Sequence, residues 1–192
     1  MDYIIEKLFP TPIYVTIIDN LDAVQEEFDK CKIEFHDIGF QDWGKTHKIS
    51  SPNFQTDLIQ ENNLHIFPKT IDKHLRNYCR ELNFTYNNYE IRSWMTAFSR
   101  GEYAHIHTHP FSDIAGVYYY KTSGDDGELF FEPNDELARH SRCFGEQADR
   151  WIHKPVVGKL ILFPSYLRHG VTTNNSNFSL RHSVSFNIKF LN

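Results

Sequence analysis

Cysteine is scarce in this sequence. Its three, Cys31, Cys79 and Cys143, lie far apart and include no CxxC pair. An odd, scattered set argues against a disulfide framework. A basic excess is also lacking. Lys and Arg number 20 against 25 Asp and Glu, the net charge is -5, and the pI is about 6.1. That balance gives no electrostatic footprint for nucleic acid or an anionic membrane, so duplex nucleic acid is disfavoured as a partner. The opening MDYIIEKLFPTPIYV has an acid at position 2 and two prolines, and reads as neither signal peptide nor membrane span. Nucleophile and phosphate grammar is missing too: there is no G-x-S-x-G, no glycine-rich phosphate loop and no Cys–His pair at a plausible spacing. These absences lead us to expect a soluble, cytoplasmic protein in a reducing compartment, without a membrane partner.

Aromatic residues, by contrast, are abundant: sixteen Phe, ten Tyr and three Trp. So much ring surface suits a β-rich fold with a lined cavity. A length of 192 residues suits a single domain over the whole chain, 1–192. PIYVTII, from Pro12 to Ile18, is a β-branched run and reads as a strand. Asp19 or Asn20 then caps a helix with Leu21, Val24, Phe28 and Cys31 on one face. Pro68 opens a second helix whose stripe is Ile71, Leu75, Tyr78 and Leu82. Residues 40–57 read as loop.

From Tyr89 the period changes to two. Strands are expected over 89–98, 104–109, 115–121, 127–132, 156–163, 168–172 and 180–190, with Gly, Pro, Asn and Asp in the breaks. Residues 133–154 read as a long charged insertion, with Arg139 and Arg142 as solvated loop charges or contacts to an acidic substrate. Trp94, Met95 and Phe98 read as core. The expected fold is mainly β with flanking helices: a double-stranded β-helix core, jelly-roll or cupin-like, over about 89–192. Helical support over about 1–88 packs outside it.

The chemistry concentrates in HIHTHP, residues 105–110. Side chains two apart on a strand share a face, so His105, His107 and His109 would be co-facial if the segment stays extended. One short strand cannot supply a facial ligand set alone. GKLILFPSYLRHGV offers His169 at the start of a return strand, and Asp113 follows His109 by four positions. HxH, a nearby acid and a distal histidine about sixty residues on make a metal-site grammar. Imidazole and carboxylate at three positions, with coordination sites left open, suit iron(II). An exposed strand rich in imidazole is the plain alternative.

These segments, with HTHPFSDIAGVYYY and RHSVSFN, resemble the phage and bacterial group of 2-oxoglutarate/iron(II)-dependent oxygenases. That group's pattern runs H-x-H-P, S-G-V-Y-Y, L-x-F-P…L-x-H-x-V and R-x-S-x-S-F-N. The likeness is strongest from Tyr103 onward, and LFPTPIYV also resembles the group's N-terminal segment. The resemblance implies a double-stranded β-helix, Fe(II), 2-oxoglutarate and oxygen. Carried over by position, His107 and His169 are metal ligands. His109 stands where the broader superfamily has a carboxylate, with Asp113 as its rival.

The last strand, LRHSVSFNIKF, alternates a polar face (Arg181, Ser183, Ser185, Asn187, Lys189) with a largely apolar one. In an ordinary sandwich the polar face would meet water. The resemblance implies instead that it lines the lumen, where Arg181 holds the distal carboxylate of 2-oxoglutarate bidentately and Ser183 adds a hydrogen bond. In GVYYYKT one parity points inward. Tyr118 and Tyr120 share one face and Tyr119 the other, and a phenol on whichever face is inward, with Tyr118 the candidate named for the cosubstrate, could hydrogen-bond its carboxylate. The implied activity is hydroxylation of a small-molecule or side-chain substrate by an oxygenase, with a homodimer left open. The competing readings are a cupin-type metalloenzyme without 2-oxoglutarate and a non-catalytic jelly-roll module.

Overall fold

The structure is a computed structural model and describes residues 4, 10–38, 46–51, 54–133, 150–177 and 180–191. Chain order begins with β1 (Tyr14–Ile17), α1 (Leu21–Asp29), β2 (His36–Asp37), β3 (Lys48–Ile49), α2 (Leu58–Glu61) and α3 (Ile66–Glu81). Strands then dominate: β4 (Asn88–Phe98), β5 (Ala104–His107), β6 (Ile114–Lys121), β7 (Leu129–Phe131), β8 (Trp151–His153), β9 (Lys159–Pro164), β10 (His169–Val171) and β11 (Arg181–Leu191). Two antiparallel sheets result, a seven-stranded one in the order β1-β9-β6-β11-β4-β3-β2 and a four-stranded one in the order β5-β10-β7-β8. This is the expected double-stranded β-helix. β8 departs from expectation: it lies in the stretch read as a charged insertion, whose residues 134–149, with Arg139, Arg142 and Cys143, lie outside the described residues. No helix among the described residues is long and apolar enough to cross a membrane.

The larger sheet is covered on its outer face by α1 and α3. Val24 and Phe28 from α1 and Phe67, Ile71, Leu75 and Tyr78 from α3 pack with Tyr118, Leu160, Leu162, Val184, Phe186 and Ile188. The stripe periodicity of both helices is therefore core packing, though Leu82 at the end of α3 is 39% exposed. Asn20 occupies the N-cap position of α1 without capping it, and its amide instead donates to Thr70 Oγ1 at 2.8 Å. The two helices are tied by charge. The Glu27 carboxylate of α1 accepts from the backbone N–H groups of His65, Ile66 and Phe67 at 2.6–2.8 Å, at the positive end of α3. Pro68 sits in that first turn, where its missing N–H costs nothing.

A second core fills part of the space between the sheets: Ala115, Val117, Tyr119, Leu129, Phe131, Ile161, Phe163 and Leu167. The remainder of that space is open. It forms a cavity of about 710 Å³ lined by the inward residues of β4, β11, β5 and β10.

Candidate metal centre

β5 and β10 are neighbours in the smaller sheet, with His169 directly opposite His107. Their ring centroids lie 4.3 Å apart. His109 is two residues past the end of β5. Its backbone N–H donates to Ser165 O at 2.9 Å, which holds its ring against the other two. The centroids of His109 and His169 are 5.0 Å apart and their Nε2 atoms 3.2 Å apart. One ligand nitrogen from each of the three lies within 4.8 Å of the others. Two nitrogens bound at about 2.1 Å to one ion, at a right angle, are about 3.0 Å apart. The spacing fits a shared ion.

Tautomers and protonation fit as well. The Nδ1 of His107 lies 2.7 Å from His105 O, and the Nδ1 of His169 lies 2.8 Å from Leu167 O. A carbonyl only accepts, so each Nδ1 carries the proton and each Nε2 the lone pair. Burial pushes the affinity of all three rings for a second proton down: His109 to about 3, His169 well below its ordinary value, and His107 in the same direction. At neutral pH they are neutral donors.

His105 and Asp113 stand outside this group. His105 is exposed and packs edge-on to Tyr103. Asp113 does not fold back toward the histidines. Phe111 takes a positive φ of 69° in the turn after Pro110, and the chain is led away. The Asp113 carboxylate accepts from the N–H of Phe190 at 2.7 Å, while its backbone bridges Ile188 and Ser165. It ties three strands together instead of ligating.

Arg181 lies in the same cavity and is 1% exposed. Its Nη1 donates to Gly127 O at 2.9 Å, and its guanidinium sits over the rings of Phe98 and Tyr119 at 4.8 and 5.0 Å. Gly127 has a φ of +100°, and a Cβ there would meet Thr172 O at 2.8 Å, so the close approach of that carbonyl requires glycine. Ser183 lies beside Arg181, 3.4 Å from Nη2, and shares a 2.8 Å hydrogen bond with Thr96. Two buried polar groups here have no partner among the described residues: Arg181 Nε and the Tyr119 hydroxyl. The buried Asp126 offsets part of the Arg181 charge, yet the Nε–H is left without an acceptor, which is costly. The geometry fits a ligand carboxylate at this end of the cavity.

Tyr118 is not part of this group. Val117 and Tyr119 face the inner core, whereas Tyr118 packs with Phe28 and Phe67 on the helix side and its hydroxyl accepts from Gln25 Nε2 at 3.4 Å. The inward phenol is Tyr119. Trp94, Met95 and Phe98 are all buried in hydrophobic clusters, as expected, and Trp94 and Phe98 also line the cavity. His47 lies in a stretch read as loop, and no local signal marks it. It stacks on Phe98 at 4.6 Å from the face of the cavity, and burial lowers it to about 4.

Residues 92–187 match the family described as "Putative 2OG-Fe(II) oxygenase". Among curated proteins, none matches the chain significantly in sequence. Solved structures share the fold. A prolyl-4-hydroxylase from Pseudomonas putida superposes with a TM-score of 0.64 at 14% identity, covering 95% of this chain and 94% of its own. HygX from Streptomyces hygroscopicus, crystallised with nickel and 2-oxoglutarate, gives 0.60 at 13% identity, covering 93% and 83%. An oxidoreductase of the 2OG-Fe(II) oxygenase family from Burkholderia pseudomallei gives 0.61 at 14%, covering 88% and 77%. The matched half of the sequence spans the three histidines and the buried arginine, and its fold is that of these enzymes. The chain belongs to the 2OG-Fe(II) oxygenase family, whose cofactors are iron(II) and 2-oxoglutarate.

Proposed function

We propose that the protein is an iron(II)- and 2-oxoglutarate-dependent hydroxylase acting on a C–H bond of a small molecule or side chain. The observation that carries this reading is Arg181: a buried guanidinium with an unpartnered Nε, in one cavity with three neutral imidazoles. A cupin-type site without 2-oxoglutarate has no use for that cation.

His107, His109 and His169 would hold the metal through their lone-pair nitrogens. Arg181 would take the distal carboxylate of 2-oxoglutarate as a fork, with Ser183 and the Tyr119 hydroxyl beside it. Iron(II), 2-oxoglutarate and dioxygen together supply an oxidant that places oxygen in a C–H bond while the cosubstrate loses carbon dioxide and becomes succinate. The protein's own part is positional. Phe98, Leu129, Phe163 and Val171 give the cavity an apolar wall that would limit the water sharing it. Burial keeps the imidazoles unprotonated, and no general base is needed.

Calorimetric titration of 2-oxoglutarate into metal-loaded protein tests the reading. Arg181→Ala should weaken binding by about 2–5 kcal/mol, the range for truncating one partner of a buried charge pair. Arg181→Lys should recover only part of that, because a point charge does not replace the fork. Equal affinity in all three proteins would remove the cosubstrate from this site.

A further inference from the structure

The protein is acidic overall, yet none of its 25 Asp and Glu lines the cavity among the described residues, whereas two arginines do. The three candidate ligands are neutral imidazoles. A divalent ion and two guanidinium groups would bring four positive charges to one cavity, and 2-oxoglutarate would cancel two. The buried Asp126, whose charge acts on Arg181, would offset a third, which leaves the charge of Arg92 for a further anion.

The second arginine is Arg92. On β4 the residues Arg92, Trp94, Thr96 and Phe98 line the cavity in alternation. Phe98, at one end, carries the Arg181 guanidinium over its ring. Arg92 lies six residues away along the strand, roughly 20 Å at the usual rise. Trp94 stands between them, its ring 6.1 Å from that of His109. A cosubstrate held at Arg181 approaches the histidines from one side, and a molecule held at Arg92 would approach from the other. Arg92 is exposed, and among the described residues no carboxylate pairs with it. Directly opposite on β11 is Asn187, which lines the same cavity and whose Oδ1 is buried without a partner among the described residues. An oxyanion acceptor for Arg92 and an N–H or O–H donor for Asn187 would complete both. Trp94, Phe54 and Ile38 offer an apolar wall beside them.

We propose that this open end is the primary-substrate subsite, and that the substrate is a small carboxylic acid. Arg92 takes its carboxylate, Asn187 accepts from an adjacent N–H or O–H, and its uncharged body lies along Trp94 toward His109. The proposal rests on the oxygenase reading for the identity of the reacting centre.

The test uses Ni(II)-loaded protein with saturating 2-oxoglutarate, so that Arg181 is occupied and no turnover occurs. The probes are hippurate, its uncharged analogue hippuramide, and phenyl phosphate, each titrated by calorimetry. Hippurate should bind wild type about tenfold more tightly than hippuramide, the worth of one charge-assisted hydrogen bond. Arg92→Gln should erase that preference and leave both hippuramide and 2-oxoglutarate affinity unchanged, and Arg92→Lys should keep part of it. No preference in wild type, no anion binding, or an unchanged preference in Arg92→Gln would overturn the proposal. Loss of 2-oxoglutarate binding in Arg92→Gln would overturn it by moving Arg92 to the cosubstrate. Phenyl phosphate binding in place of hippurate, and lost in Arg92→Gln, would overturn the carboxylate assignment in favour of phosphate esters. Failure of 2-oxoglutarate to bind wild type would strike the oxygenase reading instead. The same comparison of probes, run without 2-oxoglutarate, would still decide the role of Arg92.

Discussion

The two faces of β11 do opposite work. Val184, Phe186 and Ile188 are at most 1% exposed and lock into the helices, so their burial stabilises the fold. Arg181, Ser183, Ser185 and Asn187 face the cavity, and there two groups, Arg181 Nε and Asn187 Oδ1, are buried without partners among the described residues. Such groups lower the stability of the ligand-free protein. His182, at the start of the other face, also has a buried Nε2 without a partner among the described residues, but it packs on Phe35 and does not line the cavity, so it is the orphaned groups that line the cavity that point to where a ligand belongs. β6 repeats the division: Tyr118 is on the helix side and Tyr119, with an unpartnered hydroxyl, on the cavity side.

The sharpest way to break this division is to exchange its symptoms. His107→Ala removes a cavity-side group, and metal-dependent succinate release should fall below about 1% of wild type, beyond the 10–100-fold cost of losing a supporting partner of a metal ligand. Thermal unfolding of the metal-free protein should be unchanged, because His107 is not packed in either core. Phe186→Ala should do the reverse, costing about 3–5 kcal/mol of stability while leaving metal content per folded molecule intact. If His107→Ala unfolds the protein, the histidine is structural and the division fails.

A smaller effect separates the cavity-side imidazoles from water. Burial holds His47 at about 4, below its ordinary 6.5. As pH falls through 6.5 the unfolded chain takes up the proton first. The contribution of neutral His47 is therefore complete above pH 6.5 and is lost progressively toward pH 4. Its upper limit is about 3 kcal/mol, since each tenfold loss of proton affinity on folding is worth about 1.4 kcal/mol. Denaturant titrations of wild type and His47→Gln across that window should diverge, with the variant falling less steeply. Parallel curves would mean that His47 is open to solvent.

Much of this arrangement is legible in the sequence, for a physical reason. β11 alternates polar and apolar residues because its faces meet different media, so its parity can be read, but parity alone would turn the polar face to water, and it is the family resemblance that turns Arg181 and Ser183 to the lumen. β6 cannot be read that way. Seven of its eight residues are buried, on both faces, so its run of tyrosines carries no parity signal: the expected Tyr118 faces the helices and Tyr119 turns inward. Asp113 lies at plausible ligand spacing, but a single residue with positive φ at Phe111 redirects the chain, and a phenylalanine does not announce that conformation. His47 depends on stacking with Phe98, 51 positions away, and on the nearby charge of Arg181, 134 positions away, and nothing local records them. β8 is short and sits in a charged stretch, where its pairing to β7 outweighs local composition.

The smallest expected effect bears most directly on the two faces. Tyr119→Phe removes one hydroxyl from a fully buried ring beside Arg181. Among the described residues that hydroxyl has no partner, so its removal should leave the melting temperature of the ligand-free protein unchanged or raise it. With 2-oxoglutarate present the same hydroxyl would donate to the carboxylate held by Arg181. Its loss should then weaken cosubstrate binding by about 0.5–1.5 kcal/mol, a factor of about two to ten. Tyr118→Phe makes the identical chemical change one residue earlier, on the opposite face, where the hydroxyl only accepts weakly from Gln25. It should leave 2-oxoglutarate affinity untouched. The pair, measured by calorimetry and thermal unfolding, asks whether the effect follows the face or the strand. An equal loss of affinity in both variants would mean that β6 acts through its packing, and the phenol would lose its place at the cosubstrate.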